Sequence, residues 1–262
     1  MKQELTDIHQ HLLWGIDDGA ASRETMYSML REAQRQGIKT IIATSHARPG
    51  LQPFDMGLYT ERLTEAQCFC KTEDLGICVL PGAEIAWTHQ TPLVLRQGRI
   101  PTMGGTDYVL LELWRNISWQ AAQDAVKQLT RAGYCPVLAH PERYLAFIRS
   151  PKKTLQFRNE TGTMLQLNAD TVLSPRNYWE RRFTGQCAPL RDSNRAYLFA
   201  VGHVNSPPKV TNSFAYVASV WSVSHWYAAS IFTGLFMQSC ASDAIASTAP
   251  SFSRYSVNLR SQ

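Results

Sequence analysis

The sequence predicts an α/β fold built on a parallel sheet, with the working residues gathered at the carboxyl ends of the strands. Three observations carry this. Short, almost wholly apolar runs recur along the chain, Thr40-Ile41-Ile42-Ala43-Thr44 being the clearest, as expected for strands covered on both faces. Stretches with 3.6-residue apolar periodicity alternate with them. The residue that follows a run is repeatedly His or Glu, where Lys or Asn would serve solubility as well. At 262 residues, 44% hydrophobic and 18% charged, the chain is long enough for one large core, an α/β barrel included, and one domain is the default.

Taken in order, Thr6 to His9 reads as the first strand, and Ala21-Ser22-Arg23-Glu24 offers a helix start. Met26, Met29, Leu30 and Ala33 form one apolar face of that helix, which Gly37 stops. Strand two, Thr40 to Thr44, leaves His46 just beyond its end. A helix around Tyr59 to Phe69 leads to strand three, Ile77 to Leu80, followed by Pro81-Gly82-Ala83-Glu84. Strand four is Tyr108 to Leu111, with Glu112 next; the helix Trp119 to Ala132 ends at Gly133. Strand five, Pro136 to Ala139, runs into His140-Pro141-Glu142-Arg143; Thr163 to Asn168 is strand six and Ala196 to Ala200 strand seven, ending near His203. In parallel α/β folds active sites gather at these strand ends.

The stretch Asp7-Ile8-His9-Gln10-His11, with Asp17-Asp18-Gly19-Ala20 after it, organises the rest. Side chains alternate along a strand, so His9 and His11 share a face, and Asp18 follows in a Gly-containing turn. Imidazoles with a carboxylate suit Zn, Mn or Fe better than Ca or Mg alone. The net charge of +5 is mild, and no Lys/Arg run with interleaved aromatics supports nucleic-acid binding. The six cysteines form no C-x-x-C pair and Met1-Lys2-Gln3-Glu4 opens no apolar signal, so a reducing cytoplasm is expected. No cysteine has Arg six residues later, which argues against thiolate phosphatase chemistry.

Taken together with Ile42-Ala43-Thr44-Ser45-His46, Leu80-Pro81-Gly82-Ala83-Glu84-Ile85, Leu111-Glu112 and Ala139-His140-Pro141-Glu142-Arg143, these motifs resemble the PHP-type tyrosine phosphatases of bacterial capsule and exopolysaccharide operons. The resemblance runs in order from about Thr6 to Asn168. It implies a distorted (β/α)7 barrel with a trinuclear metal site at the C-terminal ends of the strands, holding Mn2+, with Fe, Co or Zn as alternatives. It further implies that His9, His11 and Glu84 hold one metal, that Glu84 bridges to a second held by Glu112 and His140, and that Asp18 and His46 hold the third. Arg143 would face the substrate phosphate as a forked donor. The implied substrate is the phosphotyrosine tail of the tyrosine autokinase that controls polysaccharide export. A PHP phosphoesterase for another phosphate, such as histidinol phosphate or a nucleic-acid end, shares the same metal logic.

The last quarter departs from the pattern. The family closes its first metal site with a Ser-Asp-x-His element; here Ala200-Val201-Gly202-His203 keeps the His, a candidate ligand, but puts Val where the Asp would stand. From Val201 to Gln262 the only charged residues are Lys209, Asp243, Arg254 and Arg260. The chain therefore divides into a phosphatase domain, 1–200, and an atypical tail, 201–262, read as an altered reading frame, a divergent barrel end or a membrane-associating tail. Val217 to Met237 is too often broken by Ser, His and Gly for a stable membrane span. A degenerate, non-catalytic metal- or phosphotyrosine-binding protein is the competing class. Asp170 and Glu142 read as helix-start or solvent-facing groups, His89 and His225 as surface or packing residues, and Trp14 as a pocket wall or a core residue.

Overall fold

The structure is a computed structural model of the full chain and describes residues 5–187 and 197–200. Val201, His203, His225, the boundary between residues 200 and 201, and the tail that follows lie outside the described residues. Among the described residues seven parallel strands form one sheet in sequential order: β1 (Leu5–Gln10), β2 (Ile38–Ala47), β3 (Cys78–Ala86), β4 (Tyr108–Glu112), β5 (Cys135–Ala139), β6 (Met164–Asn168) and β7 (Tyr197–Ala200). The sheet curls until β7 comes alongside β1, while the hydrogen-bonded order of the described strands stays open between them. This is the distorted barrel expected from the sequence.

Helices cross over between the strands. The helix α1 (Arg23–Arg35) is capped by Ser22, whose side chain accepts from the backbone of Thr25, and it buries Met26, Leu30 and Ala33. The longer α2 (Met56–Thr72) is capped by Asp55 and buries Tyr59, Leu63, Ala66 and Cys70. A short α3 (Thr91–Arg96) and a single 3-10 turn at Met103–Gly105 fill the β3–β4 connection. Ser118 caps α4 (Trp119–Arg131), and α5 (Leu145–Arg149) with α6 (Pro151–Thr161) joins β5 to β6. After β6 come α7 (Ala169–Leu173) and α8 (Tyr178–Cys187). One apolar cluster packs α1 and α2 on the early strands; a second packs α4, α5, α6 and α8 on the later ones.

Two strands run further than their composition suggests. β2 continues to Ala47 and β3 to Ala86, in unbroken register that sets His46 opposite Glu84. Both residues therefore lie inside strands rather than in the loops beyond. Pro81 does not end β3, because it falls where β3 pairs only with β2; pairing to β4 starts at Glu84. The extension stiffens the backbone beneath two of the polar side chains on which the site is built.

Candidate metal centre

The strand ends bring seven of the eight nominated ligands together; the eighth, His203, lies outside the described residues. Glu84, 1% exposed, is the hub. Its Oε2 lies 3.1 Å from His9 Nε2, 3.0 Å from His11 Nε2 and 3.3 Å from His46 Nδ1, and its Oε1 lies 2.6 Å from His140 Nε2. The alternation of β1 is what aims His9 and His11 at one spot, with their Nε2 atoms 3.3 Å apart. Glu112, at the end of β4, approaches His46 Nδ1 at 3.7 Å and His140 Nε2 at 3.9 Å. Asp18 stands at the rim with 59% of its side chain exposed, its Oδ1 3.5 Å from His46 Nε2.

Three overlapping sets of donor atoms each lie within 4.8 Å of one another: His9, His11 and Glu84; His11, Asp18 and His46; His46, Glu84 and Glu112. The first matches the set expected from the resemblance. The other two give His46 a larger share, since its two ring nitrogens face different carboxylates. The buried Nδ1 atom of His46 makes no hydrogen bond of acceptable geometry, although two carboxylates lie near it. Four imidazoles and three carboxylates converging around such an atom are a donor set that fits first-row transition metals.

Electrostatics describe the same centre from the proton's side. Burial pushes a carboxyl up, yet the charge of His9 and the hydrogen bonds of His11 and His140 hold Glu84 well below the usual carboxylate range. Burial disfavours a charged His11, but its hydrogen bonds to Asp17 and Glu84 outweigh that and raise it to about 10. His9 is raised too, the pull of Glu84 overcoming its burial. His140 and His46 go the other way, burial dominating, with His140 at about 4. Glu112 is pushed up to about 7 by burial and by the charge of Glu84, with Arg143 and Arg48 pulling it back. The centre thus holds protons on some donors and refuses them on others, and cations would take the place of those protons.

Arg143 follows His140 in a 3-10 turn, Pro141–Arg143, and is exposed. It lines a cavity of about 180 Å³ together with Glu112, Arg115, His140 and Tyr144, so a forked cationic donor faces the open side of two nominated ligands. A cavity of about 310 Å³, lined by Trp119, Ile117 and Arg149 among others, contains none of the nominated residues. His140 itself sits in the left-handed region, φ 31° and ψ 60°, a conformation that costs a non-glycine residue about 1–2 kcal/mol. Tyr144, fully buried, steadies this turn: its hydroxyl donates to Ala139 O at 2.7 Å and accepts from Leu113 N at 2.9 Å, tying the ends of β4 and β5 together.

The structure adds residues that the motifs did not single out. Asp17 rather than Asp18 takes the second nitrogen of His11, at 2.7 Å, and it also accepts from His46 N at 2.8 Å and Gly19 N at 3.0 Å. Gly19 is required here, since a Cβ on it would stand 2.2 Å from His11 O. An Asp-x-Gly turn directly after two histidines is the signal that marks Asp17. Gln166 and Asn168 point inward from β6 and are hydrogen-bonded to each other; polar residues at alternate positions of a buried strand are their signal. Glu142 corrects the solvent-facing reading: it is 4% exposed, accepts from Asn168 N at 2.8 Å and is pushed up to about 7 by burial. Asp170 does lie in the first turn of α7, where it pairs with Arg176, and His89 is exposed. Trp14 is clasped on the outside by Arg62, 3.5 Å from its ring centroid, and by Glu65 through its indole N–H.

Comparison with known proteins places this arrangement. The family described as capsular polysaccharide synthesis, CpsB/CapC, matches residues 5–218. The tyrosine-protein phosphatase CpsB of Streptococcus pneumoniae is 30% identical over 68% of this chain and 72% of its own length. The tyrosine-protein phosphatase YwqE of Bacillus subtilis is 32% identical over 64% of this chain and 66% of its own. A solved structure from work on YwqE and the pneumococcal CpsB, described as unique metal-dependent tyrosine phosphatases, superposes with a TM-score of 0.62 at 29% identity, covering 69% of this chain and 72% of that one.

Proposed function

Since the chain belongs to the CpsB/CapC family of capsular polysaccharide synthesis, we propose that it is a metal-dependent protein-tyrosine phosphatase whose centre is the Glu84 hub. The observation that carries the reading is that single carboxylate, reached by His9, His11, His46 and His140 within 3.3 Å. In this reading His9, His11, Asp18, His46, Glu84, Glu112, His140 and His203 hold a trinuclear manganese site. Bound cations supply Lewis acidity, which acidifies water at neutral pH and offsets charge on the phosphoryl oxygens. The chain's own groups do the rest. Glu84 orients the imidazoles, Arg143 grips the phosphate from the cavity it lines, and Arg48 adds positive charge near Glu112. The proposed substrate is the phosphotyrosine tail of a polysaccharide-pathway autokinase in the cytoplasm; no helix among the described residues is long and apolar enough to cross a membrane.

The test is hydrolysis of p-nitrophenyl phosphate and of a phosphotyrosine peptide by the full chain loaded with manganese. EDTA should abolish both activities and thiol alkylation should spare them. Activity that survives EDTA and dies on alkylation would overturn the metal reading, and a strong preference for histidinol phosphate would overturn the substrate. Val201 favours a second reading, a metal-holding chain with little turnover; stoichiometric manganese without hydrolysis of either substrate would select it.

A further inference from the structure

Gln166 is fully buried in β6, level with the last residue of β5, Ala139, just before His140. Its Oε1 atom accepts from the backbone N–H of His140 at 3.1 Å and meets His9 Nδ1 at 2.8 Å. Its Nε2 donates to Asn168 Oδ1 at 3.1 Å, and Asn168 N in turn donates to Glu142. A backbone N–H can only donate, so the Gln166 atom that faces it must be the oxygen. That oxygen has no proton to offer His9, so the proton between them sits on His9 Nδ1, and His9 Nε2 is left as the nitrogen that faces Glu84.

Resting on the metal reading above, we infer that Gln166 is a positioning residue of the centre: one amide oxygen selects the tautomer and ring orientation of His9 and pins the backbone of His140 in its left-handed turn. The two rings belong to β1 and to the end of β5, far apart in sequence, and a single acceptor sets their spacing. The inward Gln of β6 thereby contributes to a ligand set of which it is not a member. Outer partners of this kind typically change metal affinity by about 10–100-fold.

Two substitutions separate positioning from filling. Gln166→Met keeps the volume and loses the acceptor, whereas Gln166→Glu keeps an oxygen for both donors and adds a buried charge. Positioning predicts that manganese affinity, read by calorimetry on the metal-free full chain, falls about 10–100-fold in Gln166→Met and is rescued in Gln166→Glu. A role in packing alone predicts the reverse order, since Met fits an apolar surround and a carboxylate does not. Circular dichroism checks that both variants are folded. Should neither fold, long-range proton–nitrogen NMR on the zinc-loaded wild type decides: a proton on His9 Nδ1 is expected, and a proton on Nε2 overturns the inference. Equal manganese affinity in wild type and Gln166→Met overturns this inference alone. A wild type that takes up neither metal overturns the functional reading, and this one with it.

Discussion

Asp17→Asn removes a charge from the second nitrogen of His11 while leaving one oxygen that can accept from His11 and from His46 N; the amide nitrogen that replaces the other oxygen can no longer accept from Gly19 N. His11 is nearly fully buried and raised from 6.5 to about 10, with Asp17 and Glu84 each contributing a hydrogen bond and a charge against the cost of burial. A group raised that far stabilises the folded metal-free protein by about 4 kcal/mol at pH 7. The hydrogen bond to Asp17 is the strongest of the influences that raise His11, so the substitution should remove a sizeable part of this, on the order of 1–3 kcal/mol, or about 2–12 °C in melting temperature for a domain of this size. The sign with pH is fixed by linkage: a raised histidine contributes stability in full below about pH 6.5 and loses it as pH rises through about 10. Thermal melts of the metal-free wild type and variant, compared at pH 7 and at about pH 10.5, should therefore show a deficit that shrinks at the higher value to the pH-independent cost of the lost Gly19 contact. A deficit of equal size at both would mean that Asp17 acts only as the acceptor of the turn and not through the charge of His11.

Further outcomes concern the ligands and their supports. His140→Ala and Glu112→Ala should lower both manganese content and turnover, whereas Arg143→Ala should keep the metal and lose turnover, as elemental analysis beside kinetics will read; equal metal loss in all three would make Arg143 structural. Tyr144→Phe strands the N–H of Leu113 and the carbonyl of Ala139, which should cost about 2–4 kcal/mol in urea unfolding; a loss under about 0.5 kcal/mol would show that water replaces the hydroxyl. Manganese affinity should rise with pH through about 7, where Glu112 gives up its proton, and continue to rise as His11 does so towards 10. Calorimetry in buffers of different ionisation enthalpy counts the protons released, and affinity that stays flat between pH 6 and 9 would contradict the shifted values.

What the sequence made legible is what strand periodicity controls. The ends of β1, β2, β3, β4 and β5 each carry a His or Glu, because a residue at the mouth of a parallel sheet needs a polar partner there, and the apolar runs behind them fix where each mouth is. The exact strand ends were less legible: His46 and Glu84 face each other across the β2–β3 register, and the backbone pairing that carries them runs on to Ala47 and Ile85. Asp17 and Asp18 are alike in composition and differ only in how the loop folds back on His11, which depends on the room Gly19 leaves. Glu142 looked like a solvent group because its partner, Asn168 N, lies 26 residues away at the end of β6.

The gradient of cover across the centre has a kinetic consequence. His9, His11 and Glu84 lie under the sheet's own side chains, while Asp18 and Arg143 stand in the open. If cations occupy the centre as proposed, one on the buried inner trio would leave more slowly than one beside the exposed Asp18. The inner position would then carry the imprint of whichever metal was abundant when the chain folded, and the outer one would follow the supply of the moment.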